Sequence, residues 1–215
     1  MGASFEDWLR AVADHPVAEP DWYWHEGFDE QWEALGLTPT LSVSHLTRLL
    51  RNPEVLAPYS LDQIAQAIWF LIGEASPADF GDALLDPVVA SDSRRECIHA
   101  MGHFFRQFVA VIAPGAADTQ ENAFHIACFM WWDIFSVWRR QRVEPGIAQA
   151  CLEVMRGSLG LPSELCQLSA LHGLNHWYRH YRRDADSIVE EFLQRSDLSP
   201  KVREYGAIAR VGESI

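Results

Sequence analysis

The feature that most constrains the fold of this chain is its helix punctuation, which recurs along the whole 215-residue sequence. Ser60 and Gln63 have the spacing of a capping box, in which each side chain satisfies a backbone donor of the other residue. Pro200 follows Ser199 at a position where a helix needs no backbone donor. No segment alternates apolar and polar residues for long enough to predict a strand. The sequence therefore predicts an all-α fold of about ten helices.

Helical spacing and these start and stop signals also predict where the helices lie. Asp118 and Glu121 are taken to open the helix that begins at Phe124, and Ser76-Pro77 marks one further helix start. The expected helices are 4–13, 28–35, 41–51, 60–72, 92–112, 124–138, 145–159, 163–183, 186–195 and 199–211. The loops between them are short, and short loops favour antiparallel neighbours.

The length and charge of the chain limit its domain number and its partners. A chain of this length favours one domain. The net charge of −13 is concentrated in residues 1–90, which hold 15 Asp and Glu against 3 Arg. Nucleic-acid binding requires clustered basic residues, and this chain has a single lysine, Lys201. We therefore expect no nucleic-acid partner; the acidic half indicates a basic protein partner, or no more than solubility.

The apolar segments and the cysteines predict a cytoplasmic protein without a membrane partner. No apolar segment follows a basic start, so no signal peptide is expected. The longest apolar run, 124–138, is interrupted by His125 and Asp133 and is too short to span a bilayer. The four cysteines form no Cys-x-x-Cys pair, which fits a reducing compartment.

Two segments place small residues at the spacing of a helical repeat. Ser93-Arg94, Cys97-Ile98, Ala100-Met101-Gly102 and Phe104 form the first, and 200–212 forms the second. Small residues let paired helices approach closely, and an arginine near the helix start can reach a neighbouring repeat. On these residues 60–215 resembles HEAT-like α-solenoids, and 170–177 is similar to uncharacterised bacterial helical-repeat proteins. The resemblance implies a short stack of antiparallel helix pairs that acts as a binding scaffold, with 1–59 as an acidic, aromatic-rich N-terminal cap.

Two matching histidine pairs are the strongest candidate for a site. His99 with His103, and His172 with His176, each read His-x-x-x-His-aromatic, and His180 adds a turn to the second pair. Residues four apart share one helix face and can chelate one metal ion. On a helical wheel both pairs oppose the apolar face, so we expect them on the polar faces that line a groove.

These histidines leave two interpretations open. The alternative to a polar groove is a His-rich metal-binding protein or metalloenzyme that holds zinc or another divalent ion with all four side chains. However, the pairs begin 73 residues apart, about two repeats of roughly 40 residues. Packed helices are about 8–10 Å apart, so helices two repeats apart would be separated by about 20 Å. We therefore expect that the two pairs do not share one ion.

Further polar residues belong to the predicted groove. Asp133 lies in an apolar helix and must find a partner, such as a histidine, an arginine or a tryptophan indole. Arg179 and Arg183 lie near a helix end, where cations complement the helix dipole. The polar groove set is thus His99, His103, Asp133, His172, His176, His180, Arg179 and Arg183.

The acidic and aromatic start of the chain is the candidate partner surface. Its proposed contact residues are Trp22, Trp24, Glu26, Asp29, Glu30 and Trp32. Aromatic residues anchor protein interfaces, and acidic residues speed the encounter with a basic partner. The other interpretation is that these rings cover the end of the helical stack. No catalytic motif or cofactor fingerprint occurs, so the sequence favours a non-enzymatic protein-binding module, such as an inhibitor or immunity-type protein for a basic partner.

Overall fold

Helices make up 72% of the protein in a computed structural model, and no strand occurs among the residues that it describes, 2–73, 80–135, 137, 143–210 and 212. The α-helices are α1 (Phe5–Ala13), α2 (Phe28–Glu33), α3 (Pro39–Arg51), α4 (Leu61–Ile72), α5 (Phe80–Leu85), α6 (Ser91–Phe104), α7 (Ala110–Ile112), α8 (Ala123–Ile134), α9 (Pro145–Leu159), α10 (Glu164–Leu193) and α11 (Pro200–Ala209). A π turn, Phe105–Val109, joins α6 to α7. The all-α prediction is confirmed.

Several helices begin where the capping signals predicted. The capping box of Ser60 and Gln63 is formed at the start of α4, and Ser163 and Ser199 cap α10 and α11 with their side chains. The predicted helix 124–138 begins within one residue of α8, but its predicted cap, Asp118, was wrong. Its cap is Asn122, whose Oδ1 accepts a hydrogen bond from the backbone N–H of His125 at 2.9 Å.

Two predicted helices, 163–183 and 186–195, are a single kinked helix. The kink of α10 lies at Tyr181, whose backbone angles are non-helical (φ −127°, ψ 43°). The predicted helix 124–138 ends earlier, at Ile134, because the backbone of Phe135 is no longer helical (φ −76°, ψ 75°). The helix start at Ser76-Pro77 and the end of the last helix at Val211 lie outside the described residues.

The helices pack in two series. In one series α3 packs on α6 and α6 packs on α9, and in the other α4 packs on α8 and α8 packs on α10. α10 also contacts α9 and α11. Arg94, buried near the start of α6, forms an ion pair of 2.8 Å with Glu144, the residue before α9. An arginine near a helix start thus reaches the next helix of its series.

One apolar core runs through the molecule and includes residues from Phe5 in α1 to Ala209 in α11. Phe70, in the last turn of the apolar helix α4, is fully buried, as the sequence predicted for that helix. No helix in the described part of the chain has both the length and the apolar character to cross a lipid bilayer.

Candidate metal centre

The candidate site exists because α8 and α10 approach each other very closely at Gly173. A Cβ atom added to Gly173 would lie 2.5 Å from Cβ of Trp132 and 2.8 Å from Sδ of Met155. Only glycine fits at such a distance. The contact brings Asp133, the residue after Trp132, to His176, which is less than one turn after Gly173 on α10.

Three potential ligand atoms meet there. Nε2 of His172 lies 3.3 Å from Nε2 of His176, and Nε2 of His176 lies 3.5 Å from Oδ1 of Asp133. One ligand atom from each of the three residues lies within 4.8 Å of the others. Two ligands of a tetrahedral ion with bonds of about 2.0–2.1 Å are themselves about 3.3–3.4 Å apart. Two of the three distances between ligand atoms are therefore close to the distance between two ligands of one bound metal ion.

The surroundings of His172 hold its ring in place and keep it neutral. The ring stacks on Phe129 with centroids 4.5 Å apart, and its Nδ1 lies 2.8 Å from the hydroxyl oxygen of Tyr205 in α11. The pKa of His172 is lowered to about 4, chiefly by burial and also by the nearby His176, while Asp133 opposes the shift. Neutral imidazole is the form that binds a metal ion.

Tyr205 sets the direction in which His172 can bind. Burial raises the pKa of Tyr205, so its hydroxyl stays protonated at neutral pH. When Nδ1 of His172 donates its hydrogen to the hydroxyl oxygen, the lone pair of Nε2 points toward His176 and Asp133. A hydrogen bond on the far nitrogen is the usual support of a metal-binding histidine.

The cluster is open to solvent on one side. His172 is buried, whereas the side chains of His176 and Asp133 are 28% and 20% exposed. His172 is thus the interior member of the cluster, and His176 and Asp133 lie nearer to the surface.

The burial of His172 corrects the predicted groove. The helical wheel placed His172 on a polar face with His180, Arg179 and Arg183, and these three residues are indeed exposed. His172 is covered instead by Phe129 of α8 and Tyr205 of α11. The wheel describes only one helix, so it cannot show that α10 is covered on this side too.

The other histidine pair lies elsewhere. His99 and His103 line a cleft between α6 and α9, where Nε2 of His99 is 3.9 Å from Oε2 of Glu153. Within the described ranges the only group of three convergent potential ligands is Asp133, His172 and His176. The predicted separation of the pairs is confirmed. The candidate ligands are therefore Asp133, His172 and His176, and the predicted ligands His99 and His103 are not among them.

The predicted partner surface is only partly exposed. The rings of Trp22 and Trp32 are buried against Phe70, with centroids 4.9 and 4.8 Å from its ring, so they cover the core and cannot contact a partner. The side chain of Trp24 is 61% exposed. It is accompanied at the surface by the predicted acidic residues Glu26, Asp29 and Glu30.

Sequence reasoning found part of this site. It required a partner for Asp133, and His176 is one such partner at 3.5 Å. It missed Phe129 and Tyr205, because nothing in their local sequence relates them to His172.

The chain was compared with protein-family models, with curated proteins and with solved structures, and none of these comparisons found a match.

Proposed function

We propose that this protein binds a divalent metal ion through Asp133, His172 and His176. The observation that carries the proposal is the convergence of one carboxylate oxygen and two imidazole nitrogens, at 3.3 and 3.5 Å, from two helices. The competing explanation is a hydrogen-bonded network without a metal ion, and metal analysis of the purified protein separates the two.

Zinc fits the donor set best. Imidazole nitrogen suits zinc and other late transition metals, whereas calcium and magnesium prefer sites made of oxygen alone. Zinc sites with three protein ligands keep a fourth position for water or substrate, and structural zinc sites are closed by four protein ligands. Asp133, His172 and His176 supply three protein ligands, the number found in zinc sites that keep a fourth position for water or substrate.

The decisive experiment is metal analysis of protein purified without an affinity tag. We expect about one equivalent of zinc after dialysis against the free ion, measured by inductively coupled plasma mass spectrometry. Asp133→Asn keeps the shape of the side chain and His176→Gln changes a part-exposed ligand, and each should weaken zinc binding about 10- to 100-fold or more.

The matched control is His103→Gln, which removes a histidine from the equivalent position of the other pair. It should bind zinc like the wild type. Zinc content that stays unchanged in both Asp133→Asn and His176→Gln, or that falls equally in His103→Gln, would reject this ligand set. Circular dichroism of each variant separates loss of a ligand from loss of the fold.

A second candidate function is the binding of a basic protein by the surface around Trp24. The specific observation is that this large ring is 61% exposed beside Glu26, Asp29 and Glu30, in the half of the chain that carries most of the negative charge. Buried rings elsewhere in the N-terminal segment cover the core, so Trp24 has no such structural role. An inhibitor or immunity-type protein of the cytoplasm is the specific form of this proposal.

The two packing series support a HEAT-like scaffold for this second role. Consecutive pairs such as α3–α4, α6–α8 and α9–α10 would produce them if each helix packed on its counterpart in the next pair. The close contact of Gly102 with Val154, where an added Cβ would lie at 3.4 Å, fits the small residues of the repeat pattern.

The test of the second candidate uses affinity capture from the native host with wild-type protein and with Trp24→Ala. We expect a partner with an isoelectric point above about 9 that is lost in the variant and is released by about 0.5 M salt, because charge attraction is screened. Val88→Ala is the control, since Val88 is also a strongly exposed apolar side chain. Equal capture by Trp24→Ala would contradict the proposal.

A further inference from the structure

A second polar cavity lies apart from the candidate metal centre, in the cleft between α6 and α9. The cleft has a volume of about 230 Å³, so it has room for a small anion but not for a large organic ligand. Arg51 from the end of α3, His99 and His103 from α6, and Arg106 from the π turn line it together with a single carboxylate, that of Glu153. The lining therefore carries more positive than negative charge, although the whole chain has a net charge of −13.

The donors of this cleft are available to a ligand. No residue of the described ranges forms an ion pair or hydrogen bond with Arg106, whose side chain is exposed. Arg51 donates from Nε and Nη2 to Oε1 of Glu96, which leaves its Nη1 donors. Arg106 can therefore donate to an anion without first giving up an ion pair with a described residue.

The one carboxylate of the cleft is already engaged. Oε1 of Glu153 accepts a hydrogen bond from the side-chain amide of Gln149 at 3.1 Å, and its Oε2 lies 3.9 Å from Nε2 of His99. These contacts reduce its repulsion of an incoming anion.

The spacing and the floor of the cleft both favour a compact oxyanion. His99, His103 and Arg106 follow one another at four and three residues, so they lie along one face of the helix. The π turn that carries Arg106 belongs to a helix form that occurs frequently at functional sites. On the opposite wall, an added Cβ on Gly157 would meet nothing within 4 Å, so α9 leaves space beside these donors.

We propose that this cleft binds a phosphate group through Arg51, Arg106, His99 and His103. Arginine and histidine donors are the usual partners of phosphate oxygens, and charge-assisted hydrogen bonds of this kind are strong. The group can come from free inorganic phosphate or from a small phosphate monoester, since both present the same terminal oxygens. The proposal does not depend on a metal ion at Asp133, His172 and His176.

Isothermal titration calorimetry tests the proposal with inorganic phosphate and with methyl phosphate as separate probes. The protein is the full chain with His176→Gln, treated with a chelator, so that phosphate cannot bind to a metal ion at the other site. We expect saturable binding of one equivalent, weakened at least about tenfold by Arg106→Gln. Binding of both probes would show that the phosphate group is recognised with or without a substituent, and binding of inorganic phosphate alone would identify the free anion as the ligand.

The control is Arg182→Gln, which removes an exposed arginine from α10, where Arg182 lies over the ring of Tyr178. It should bind phosphate like the parent protein. The proposal is overturned if neither probe saturates below about 10 mM, if Arg106→Gln binds as well as the parent, or if Arg182→Gln weakens binding equally.

Discussion

At the scale of single residues, His172 shows how its environment decides what a side chain can do. Its ring is buried, stacks on Phe129 and forms a hydrogen bond with the hydroxyl group of Tyr205. Its pKa is lowered to about 4, chiefly by burial. An unfolded histidine has a pKa of about 6.5. Between about pH 4 and pH 6.5, His172 therefore binds fewer protons in the folded protein than in the unfolded chain.

This difference predicts a pH-dependent stability. The contribution of neutral His172 is fully present above about pH 6.5 and is lost as the pH falls from 6.5 to 4, by about 3 kcal/mol for a shift of this size. Chemical denaturation of metal-free protein between pH 7 and pH 4 measures this loss. His176, Asp133 and Tyr205 are the titratable groups beside the ring.

The comparison variant is His172→Asn, which retains a polar atom near Nδ1 but does not titrate. Its free energy of unfolding should decrease less steeply toward pH 4 than that of the wild type, so that the gap between the two proteins narrows. Parallel curves would show that His172 titrates alike in the folded and unfolded states.

At the scale of helices, two glycines with opposite surroundings separate packing from helix propensity. Gly173 of α10 has no room for a Cβ, because Trp132 and Met155 are within 2.8 Å of that position. A Cβ added to Gly157 of α9 would instead meet nothing within 4 Å. Both lie inside helices, so substitution by alanine improves the helix propensity equally at both positions.

Gly173→Ala should destabilise the protein by about 1–3 kcal/mol because the overpacked contact forces α8 and α10 apart. The same change would move Asp133 away from His176, so zinc affinity should fall as well. Gly157→Ala should instead stabilise the protein by about 0.5–1 kcal/mol. Thermal or urea denaturation measures both, and a Gly173→Ala protein as stable as the wild type would contradict the close approach.

The helices were largely predictable from local signals, and their contacts were not. The capping box of Ser60 and the boundaries of α9 are set by residues within a few positions of each other. The cap of α8 was missed because Asn122 and Asp118 are both plausible caps, and the sequence does not rank them. The burial of His172 depends on Tyr205, 33 residues later, and no helical wheel includes a contact over that separation.

At the scale of the whole molecule, one core joins the N-terminal segment to the remainder of the chain. Trp22 and Trp32 pack on Phe70 of α4, and the same cluster of buried residues extends to α11. The N-terminal segment therefore has no core separate from that of the rest of the described chain.

We therefore expect a single cooperative unfolding transition. Far-ultraviolet circular dichroism, which follows all the helices, and tryptophan fluorescence should report the same midpoint in urea. Trp22→Phe, a change within the cap, should lower both midpoints together. A fluorescence transition that precedes the loss of helix would indicate that 1–59 unfolds separately from 60–215.

The contact between Tyr205 and His172 also has a consequence for the time at which the candidate metal centre can form during synthesis. Ligands come from α8 and α10, but the hydroxyl that orients His172 belongs to α11. A ribosome makes the chain from its N-terminus, so Asp133, His172 and His176 are all present before their orienting partner has been added. The nascent chain would expose unsupported imidazoles until residue 205 emerges, so a correctly shaped site can form only after α11 has been synthesised.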